Sequence, residues 1–170
     1  TNRAYYALRS IGSTTKPLTV YGPAIDTKTV TAGTVFDDTV LPSSISSKYN
    51  NYNPQNWNFK SDGYITVREA LALSKNVPTV MVEDRLGIEN GLSYGEKLGI
   101  IYGPKSSSSI ATLSLGEFTG YDEEDGSIDG GNPFILASAF GTFGNNGVYT
   151  EPILYTKVVD GSGKIILENK

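Results

Sequence analysis

The sequence predicts a mixed α/β (α+β) domain, with helices in the middle of the chain and strands towards its ends. Two features indicate helices: a hydroxyl cap at Thr66 before an apolar run, and the pair Asn132-Pro133 before another. A third feature, two alternating apolar runs around Asp-Gly-Ser-Gly within residues 153–167, is typical of a β-hairpin. With 170 residues, 38% of them apolar, the chain can bury the core of one domain.

The first thirty residues are expected to contain one helix. Residues 3–9 carry paired Tyr and a Leu and fit a strand or a loop. A helix is predicted from Ser13, because Ser is a favoured N-cap and Pro17 lies in the first turn, where a missing N–H costs little. The residues expected to share its buried face are Leu18, Tyr21 and Ile25.

Residues 27–63 form a long excursion before the next helix. Within it, the stretch VTAGTVFDD (30–38) is typical of a short strand. Residues 43–61 are rich in Ser, Asn and Tyr and have no clear period, which predicts an ordered loop. Its side chains either line a groove or pack on the surface.

The middle of the chain carries three helix signals in succession. Thr66 and Glu69 have the spacing of a capping box and predict a helix over residues 67–73. Pro78 suits the first position of a second helix, which Gly87 ends. The residues that give this second helix its expected buried face are Val80, Met81 and Leu86. A third helix is predicted over residues 91–98.

A fourth helix is expected to begin after Asn132 and to end within residues 144–147, ahead of the hairpin. Between the third and fourth helices, residues 106–109 and the acidic, Gly-rich residues 121–131 predict loops. The spacing of the acidic residues does not match a calcium-binding loop, so no metal site is predicted there.

Composition excludes several classes of site. The net charge is −4 and the Lys and Arg residues are scattered singly, so no nucleic-acid partner is predicted. The chain has no Cys and no His, which excludes a thiol nucleophile, a zinc–thiolate site and a Ser-His-Asp triad. A general base must therefore be Lys, Asp, Glu or Tyr. No metal or organic cofactor is indicated, and no apolar run is long enough to span a membrane.

Ser13 and Lys16 form a candidate catalytic pair. Residues three apart on a helix share a face, so the amine can reach the hydroxyl. A serine needs an adjacent base to act as a nucleophile, and a lysine becomes that base when burial or a nearby cation lowers its pKa. The alternative is a capped helix start, because about one Ser-x-x-Lys is expected by chance in a chain of this composition.

Ser74 and Asn76 form a second candidate element, at the joint between two predicted helices. A residue at such a joint can project into a cleft while both helices hold it in place. The alternative is that both side chains simply cap the helix ends.

Together these motifs resemble the transpeptidase domain of class A penicillin-binding proteins, for which Ser-x-x-Lys and a Ser-x-Asn triplet are characteristic. The resemblance follows the family's order over nearly the whole chain. The segments that carry it are residues 12–17 (GSTTKP), 36–38 (FDD), 52–54 (YNP), 63–78 (GYITVREALALSKNVP), 98–100 (LGI), 113–116 (LSLG) and 143–149 (FGNNGVY).

The resemblance implies a mechanism and a set of roles. Ser13 would be the acylated nucleophile, Lys16 its general base, Ser74 a proton relay and Asn76 a ligand for the substrate's amide. The family cross-links peptidoglycan stem peptides that end in D-Ala-D-Ala, and β-lactams trap its serine. The resemblance also implies a parent protein anchored in the bacterial cytoplasmic membrane, with this domain on the outside.

One departure from the family concerns its third motif, Lys-Thr/Ser-Gly on a core strand, which this sequence lacks. In the family that strand lies downstream and completes the oxyanion hole. Residues 1–170 are therefore expected to be the front part of a DD-transpeptidase-like fold, a helical subdomain with part of the sheet. We expect the chain to be inactive until the rest of the domain, or a partner chain, completes the sheet.

Two other functions stay open, of which the serine β-lactamase shares the first two motifs. A serine β-lactamase would need a water-activating Glu, and no segment here resembles that family's Glu loop. A non-catalytic penicillin-sensing or wall-binding domain would keep the fold without turnover.

Overall fold

The computed structural model describes residues 2–169, and its centre is helical. The α-helices are α1 (Arg3–Tyr6), α2 (Gly22–Asp26), α3 (Ser43–Ser46), α4 (Val67–Ala72), α5 (Asn76–Leu86), α6 (Ile88–Lys97), α7 (Ile110–Leu115) and α8 (Pro133–Gly144). The 3₁₀ turns are Gly12–Thr14, Ser47–Tyr49 and Ser106–Ser108, and a π-helix covers Lys16–Tyr21. The strands are β1 (Val35–Asp37), β2 (Tyr64–Thr66), β3 (Lys157–Val159) and β4 (Ile165–Glu168).

The strands pair as two antiparallel ribbons, β1 with β2 and β3 with β4. Phe36 faces Ile65 across the first pair, and Val158 faces Leu167 across the second. The strand predicted in residues 30–38 and the hairpin predicted in 153–167 are both confirmed. Residues 43–61 are only partly a loop, because α3 and a 3₁₀ turn occupy residues 43–49.

The start of the chain differs from the prediction. Arg3–Tyr6 is a short helix, not a strand, and Asn2 caps it. Ser13 is not an N-cap: the chain first makes a 3₁₀ turn, in which the Thr14 hydroxyl donates to the carbonyl of Ile11 at 2.6 Å. The helical segment from Lys16 then begins as a π-helix. Its wider turn changes which residues face inward, so Ala24 is buried where Ile25 was expected.

The helical centre agrees more closely with the sequence. The capping box of Thr66 and Glu69 is formed, with each residue bonding the other's backbone N–H. Helix α5 begins at Asn76, two residues before Pro78, which is tolerated because N–H groups of the first turn have no intrahelical partner. Gly87 ends α5 as predicted, and α6 begins three residues earlier than expected.

Helix α5 lies between two parts of the hydrophobic core. On one side Val82 and Leu86 pack with residues of the π-helix, α2 and α4. On the other side Val77, Val80 and Met81 pack with residues of α7. The predicted buried face of α5 is confirmed. Because α5 is held on both sides, its N-terminus is a fixed point in the molecule.

The end of the chain carries much exposed apolar surface. The Asn132 cap of α8 is formed, yet Phe143 of this apolar helix is 55% exposed. Every residue of β3 and β4 is exposed, including Ile166 at 59%. Exposed apolar surface of this kind is typical of an interaction surface.

The acidic residues 121–131 form a loop closed by a bridge between Tyr121 and Ile128. Within residues 2–169, no group of three acidic side chains is arranged to hold a metal ion. No helix in the same range is both long and apolar enough to cross a membrane.

Candidate active site

Ser13 lies in an exposed turn that is held from behind by the end of α7. The N–H of Gly12 and the hydroxyl of Ser10 both donate to the carbonyl of Gly116, at 3.1 and 2.6 Å. Gly116 has a φ of +71°, and a Cβ there would lie 2.2 Å from the carbonyl oxygen of Gly12. The backbones meet this closely only because Gly116 has no side chain.

Lys16 is the centre of the site. Its side chain is buried, and it crosses from the π-helix to the joint between α4 and α5. There Nζ donates to four oxygens: Ser74 O at 2.8 Å, Ser74 Oγ at 3.2 Å, Lys75 O at 3.3 Å and Asn76 Oδ1 at 2.6 Å. All four acceptors are uncharged. Burial lowers the pKa of Lys16 to about 8, as a lysine that serves as a base requires.

Ser74 occupies the joint in an uncommon backbone conformation. Its φ is +52°, in the left-handed region that residues other than Gly rarely adopt. The turn is bonded to α4, since the N–H of Ser74 donates to Leu71 O and that of Lys75 to Ala70 O. The strained turn aims both the carbonyl and the hydroxyl of Ser74 at Lys16.

Asn76 is the first residue of α5, and both ends of its amide have partners. Oδ1 accepts from Lys16, and Nδ2 donates to the carbonyl of Gln55 at 2.6 Å. A side-chain amide has two donor hydrogens and two acceptor lone pairs. Asn76 therefore retains capacity for one further donated and one further accepted hydrogen bond.

The structure thus brings three of the four predicted site residues together. Lys16, Ser74 and Asn76 share one hydrogen-bonded cluster, although 58 to 60 positions separate the first from the other two. The hydroxyl of Ser13 is not one of the four oxygens that Lys16 contacts.

A second buried network lies behind the turn. Lys75, the middle residue of the triplet, pairs with Asp38 at 3.0 Å, and their side chains are 1% and 0% exposed. Lys75 also pairs with Asp62 and donates to the carbonyl of Lys60. Burial alone would lower the pKa of Lys75, but the two carboxylates outweigh it and raise the pKa.

Asn56 joins the two networks. Its Nδ2 donates to Asp38 Oδ1 at 2.7 Å, and its Oδ1 accepts from the backbone N–H of Asn76 at 2.8 Å. Sequence reasoning assigned no role to Asp38, Asn56 or Lys75. The one sequence feature that could have indicated them is their position in or beside the segments that resemble the family. In the sequence alone, a single Asp or Asn in a polar loop cannot be distinguished from a surface residue.

Comparison with known proteins gives one family for the whole chain. Residues 1–170 match the family model described as penicillin binding protein transpeptidase domain. The chain is 49% identical over 168 residues to penicillin-binding protein 1A of Clostridium perfringens strain 13. This match covers 98% of this chain and 24% of that protein. It is 34% identical to penicillin-binding protein 1F of Bacillus subtilis strain 168, over 96% of this chain and 20% of that protein.

Solved structures give the same fold. The D,D-transpeptidase domain of a peptidoglycan glycosyltransferase from Eggerthella lenta superposes with a TM-score of 0.77 at 21% identity, over 100% of this chain and 45% of that one. Penicillin-binding protein A of M. tuberculosis, solved as a ceftriaxone acyl-enzyme complex, gives 0.76 at 20% identity, over 99% and 39%. The predicted transpeptidase-like α/β fold is confirmed. The chain spans about a quarter or less of the length of the relatives reported above.

Proposed function

Because the chain belongs to the penicillin-binding protein transpeptidase domain family, we propose that it is the part of a serine DD-transpeptidase that carries the nucleophile and its base. The family model and the relatives favour this function over a serine β-lactamase and over a non-catalytic sensing or wall-binding domain. The single observation that best supports the chemistry is the buried Lys16, whose acceptors are all uncharged.

In the proposed reaction, the hydroxyl oxygen of Ser13 attacks the carbonyl carbon of the penultimate D-Ala of a stem peptide. The hydroxyl proton passes to Lys16 Nζ. The C–N bond to the terminal D-Ala then breaks, and its nitrogen takes a proton relayed from Lys16 through the Ser74 hydroxyl. The stem remains as an ester on Ser13 until an amine of a neighbouring stem attacks it and restores the serine. Asn76 binds the substrate's amide with its remaining hydrogen-bonding capacity.

The charge state of Lys16 connects this reaction to the geometry. A charged ammonium has three donor hydrogens and no lone pair, so it can only donate. The neutral amine has two donor hydrogens and one lone pair, so it must give up at least one of its present acceptors. The freed lone pair can then accept the proton of Ser13. The four acceptors therefore stabilise the charged ammonium in the resting site. When Lys16 loses a proton, it also loses at least one of these contacts, and the neutral amine is free to accept the proton of Ser13.

A β-lactam would enter the same reaction as a substitute for the D-Ala-D-Ala end. Ser13 opens the ring amide, but the leaving nitrogen stays tethered, so the ester persists. The other partner we propose is the remainder of the transpeptidase domain or a partner chain, covering the exposed apolar faces of α8 and of the hairpin. We also propose that the parent protein is anchored in the bacterial cytoplasmic membrane and that this chain acts at the outer face.

The test is intact-mass analysis and peptide mapping of the full-length protein after brief exposure to benzylpenicillin. We expect one lasting adduct on Ser13, and none in a Ser13→Ala variant. A rapidly cleared adduct would instead indicate a β-lactamase. No adduct in the folded full-length protein would leave Ser13 without a catalytic role.

A further inference from the structure

We propose that Lys75, held by the buried carboxylate of Asp38, is a positioning residue that fixes the Ser74–Asn76 turn against Lys16. The inference rests on the proposed function of the same site. It assigns a role to side chains on the face of the Ser74–Asn76 turn that lies opposite Lys16.

The backbone of Lys75 explains how one residue can orient both its neighbours. Its φ of −68° and ψ of 137° are extended, between the left-handed Ser74 and the helical Asn76, so its side chain leaves the backbone in a different direction from theirs. Ser74 Oγ and Asn76 Oδ1 contact Lys16, while Lys75 Nζ contacts Asp38. A displacement of Lys75 moves both acceptors at once.

The turn needs such an anchor because its conformation is strained. Ser74 has a φ of +52°, and a non-Gly residue in this region persists only where its surroundings hold it. Backbone bonds tie the turn to α4 on one side. The ion pair of Lys75 with Asp38 ties it on the opposite side, where both side chains are at most 1% exposed.

Asp38 is itself fixed at both carboxylate oxygens. Oδ1 accepts from Asn56 Nδ2 at 2.7 Å, and Oδ2 accepts from the N–H of Asp62 at 3.1 Å in addition to its pairing with Lys75. Through Asn56 the carboxylate also reaches the N–H of Asn76. Asp38 thus holds the triplet at two places, the side chain of its middle residue and the backbone of its last.

The test uses the double variant Asp38→Asn/Lys75→Met in the full-length protein, because removing both charges leaves neither one buried and unpaired. We expect the second-order rate constant of acylation by benzylpenicillin to fall about 10- to 100-fold, as for other losses of supporting contacts around a reacting group. We also expect the rise of that rate with pH to move to lower pH, since fewer acceptors then stabilise the charged Lys16. Thermal unfolding confirms that the variant is folded.

Three further variants sharpen the test. Lys105→Met/Asp122→Asn removes a more exposed ion pair of similar length, 2.9 Å, and should leave the rate unchanged. Lys75→Arg keeps the charge and should acylate faster than the double variant. Asn56→Ala removes the bridge without removing a charge, and should lower the rate even if the double variant fails to fold.

Two results would overturn the inference while the proposed function stands. The first is a double variant with the acylation rate and pH profile of the wild type. The second is a slower double variant whose pH profile does not move, together with a Lys75→Arg variant that acylates no faster than the double variant. A wild-type protein that forms no adduct on Ser13 would overturn the proposed function, and this inference with it.

Discussion

Lys16 Nζ and Asn76 Oδ1 lie 2.6 Å apart, although 60 positions separate the two residues in the chain. The bond joins the start of the π-helix to the start of α5. The charge of Lys16 therefore depends on the conformation of the Ser74–Asn76 turn, which lies in a different part of the chain. A change in the protonation of Lys16 and a displacement of the turn are therefore coupled.

The rate at which benzylpenicillin acylates Ser13 should rise with pH. Burial lowers the pKa of Lys16 to about 8, and only the unprotonated amine can accept the serine's proton. Below pH 8 the rate should grow about tenfold per pH unit, and above it the rate should level off. Labelling with a fluorescent penicillin between pH 6 and 10 measures this profile.

Lys16→Met should abolish that rise and lower the rate by about 10²- to 10⁴-fold, the usual contribution of a general base. Lys16→Arg should be equally impaired, since a guanidinium does not lose its proton in this range. A flat profile in the wild type, or an active Lys16→Arg variant, would contradict the role of Lys16.

Gly116→Ala should destabilise the fold and slow acylation together. The new methyl carbon would meet the carbonyl oxygen of Gly12 at 2.2 Å, in a backbone conformation that disfavours any side chain. We expect a loss of about 3 kcal/mol in the free energy of unfolding, from strain and overpacking combined. Gly126→Ala is a matched control, because Gly126 has a φ of +72° and open space around it. That variant should lose only about 1 kcal/mol and acylate normally.

Glu83→Gln should stabilise the protein more at pH 8 than at pH 5. Glu83 of α5 is fully buried, and neither carboxylate oxygen has a hydrogen-bond partner within residues 2–169. Burial raises its pKa well above the ordinary value.

The sign follows from proton linkage. A carboxyl with a raised pKa in the folded state holds its proton more tightly there than in the unfolded state. Stability is therefore greatest below the unfolded pKa and falls as the pH rises towards the folded one. Thermal unfolding of wild type and Glu83→Gln across this range measures the difference, with Glu123→Gln in an exposed loop as control. Equal shifts in both variants would contradict the prediction.

Residues 1–170 in isolation should form no adduct with benzylpenicillin. The sequence lacks the third motif of the family, and the apolar surfaces of α8 and of the hairpin are uncovered. Adding the proposed remainder of the transpeptidase domain as a separate polypeptide should restore labelling. Stoichiometric acylation of the homogeneous isolated chain would show the prediction to be wrong.

The sequence predicts those parts of the fold that local chemistry decides. The capping box of Thr66 and Glu69, the cap at Asn132 and the stop at Gly87 depend on residues within one or two turns of each other. The meeting of Lys16 with Ser74 and Asn76 was expected only through the family resemblance, because no local pattern connects such distant residues.

The rest depends on long-range packing that a single sequence does not display. The π-helical start at Lys16 replaced the helix expected from Ser13, because the preceding turn is bonded to Gly116 instead of being capped by Ser13. The pairing of Lys75 with Asp38 joins a helix joint to the end of a strand. Neither residue stands out by composition or spacing.

The bond from Ser10 to Gly116 spans 106 positions, so the turn that carries Ser13 is held in its native position only when the end of α7 is docked against it. Contacts this distant in sequence are slow to form, because a long loop must close before they can be made. An incompletely folded chain would thus contain Ser13, Lys16, Ser74 and Asn76 and still not be acylated by a penicillin. The extent of labelling by a penicillin would therefore measure the fraction of the protein that has folded completely, in addition to the reactivity of Ser13.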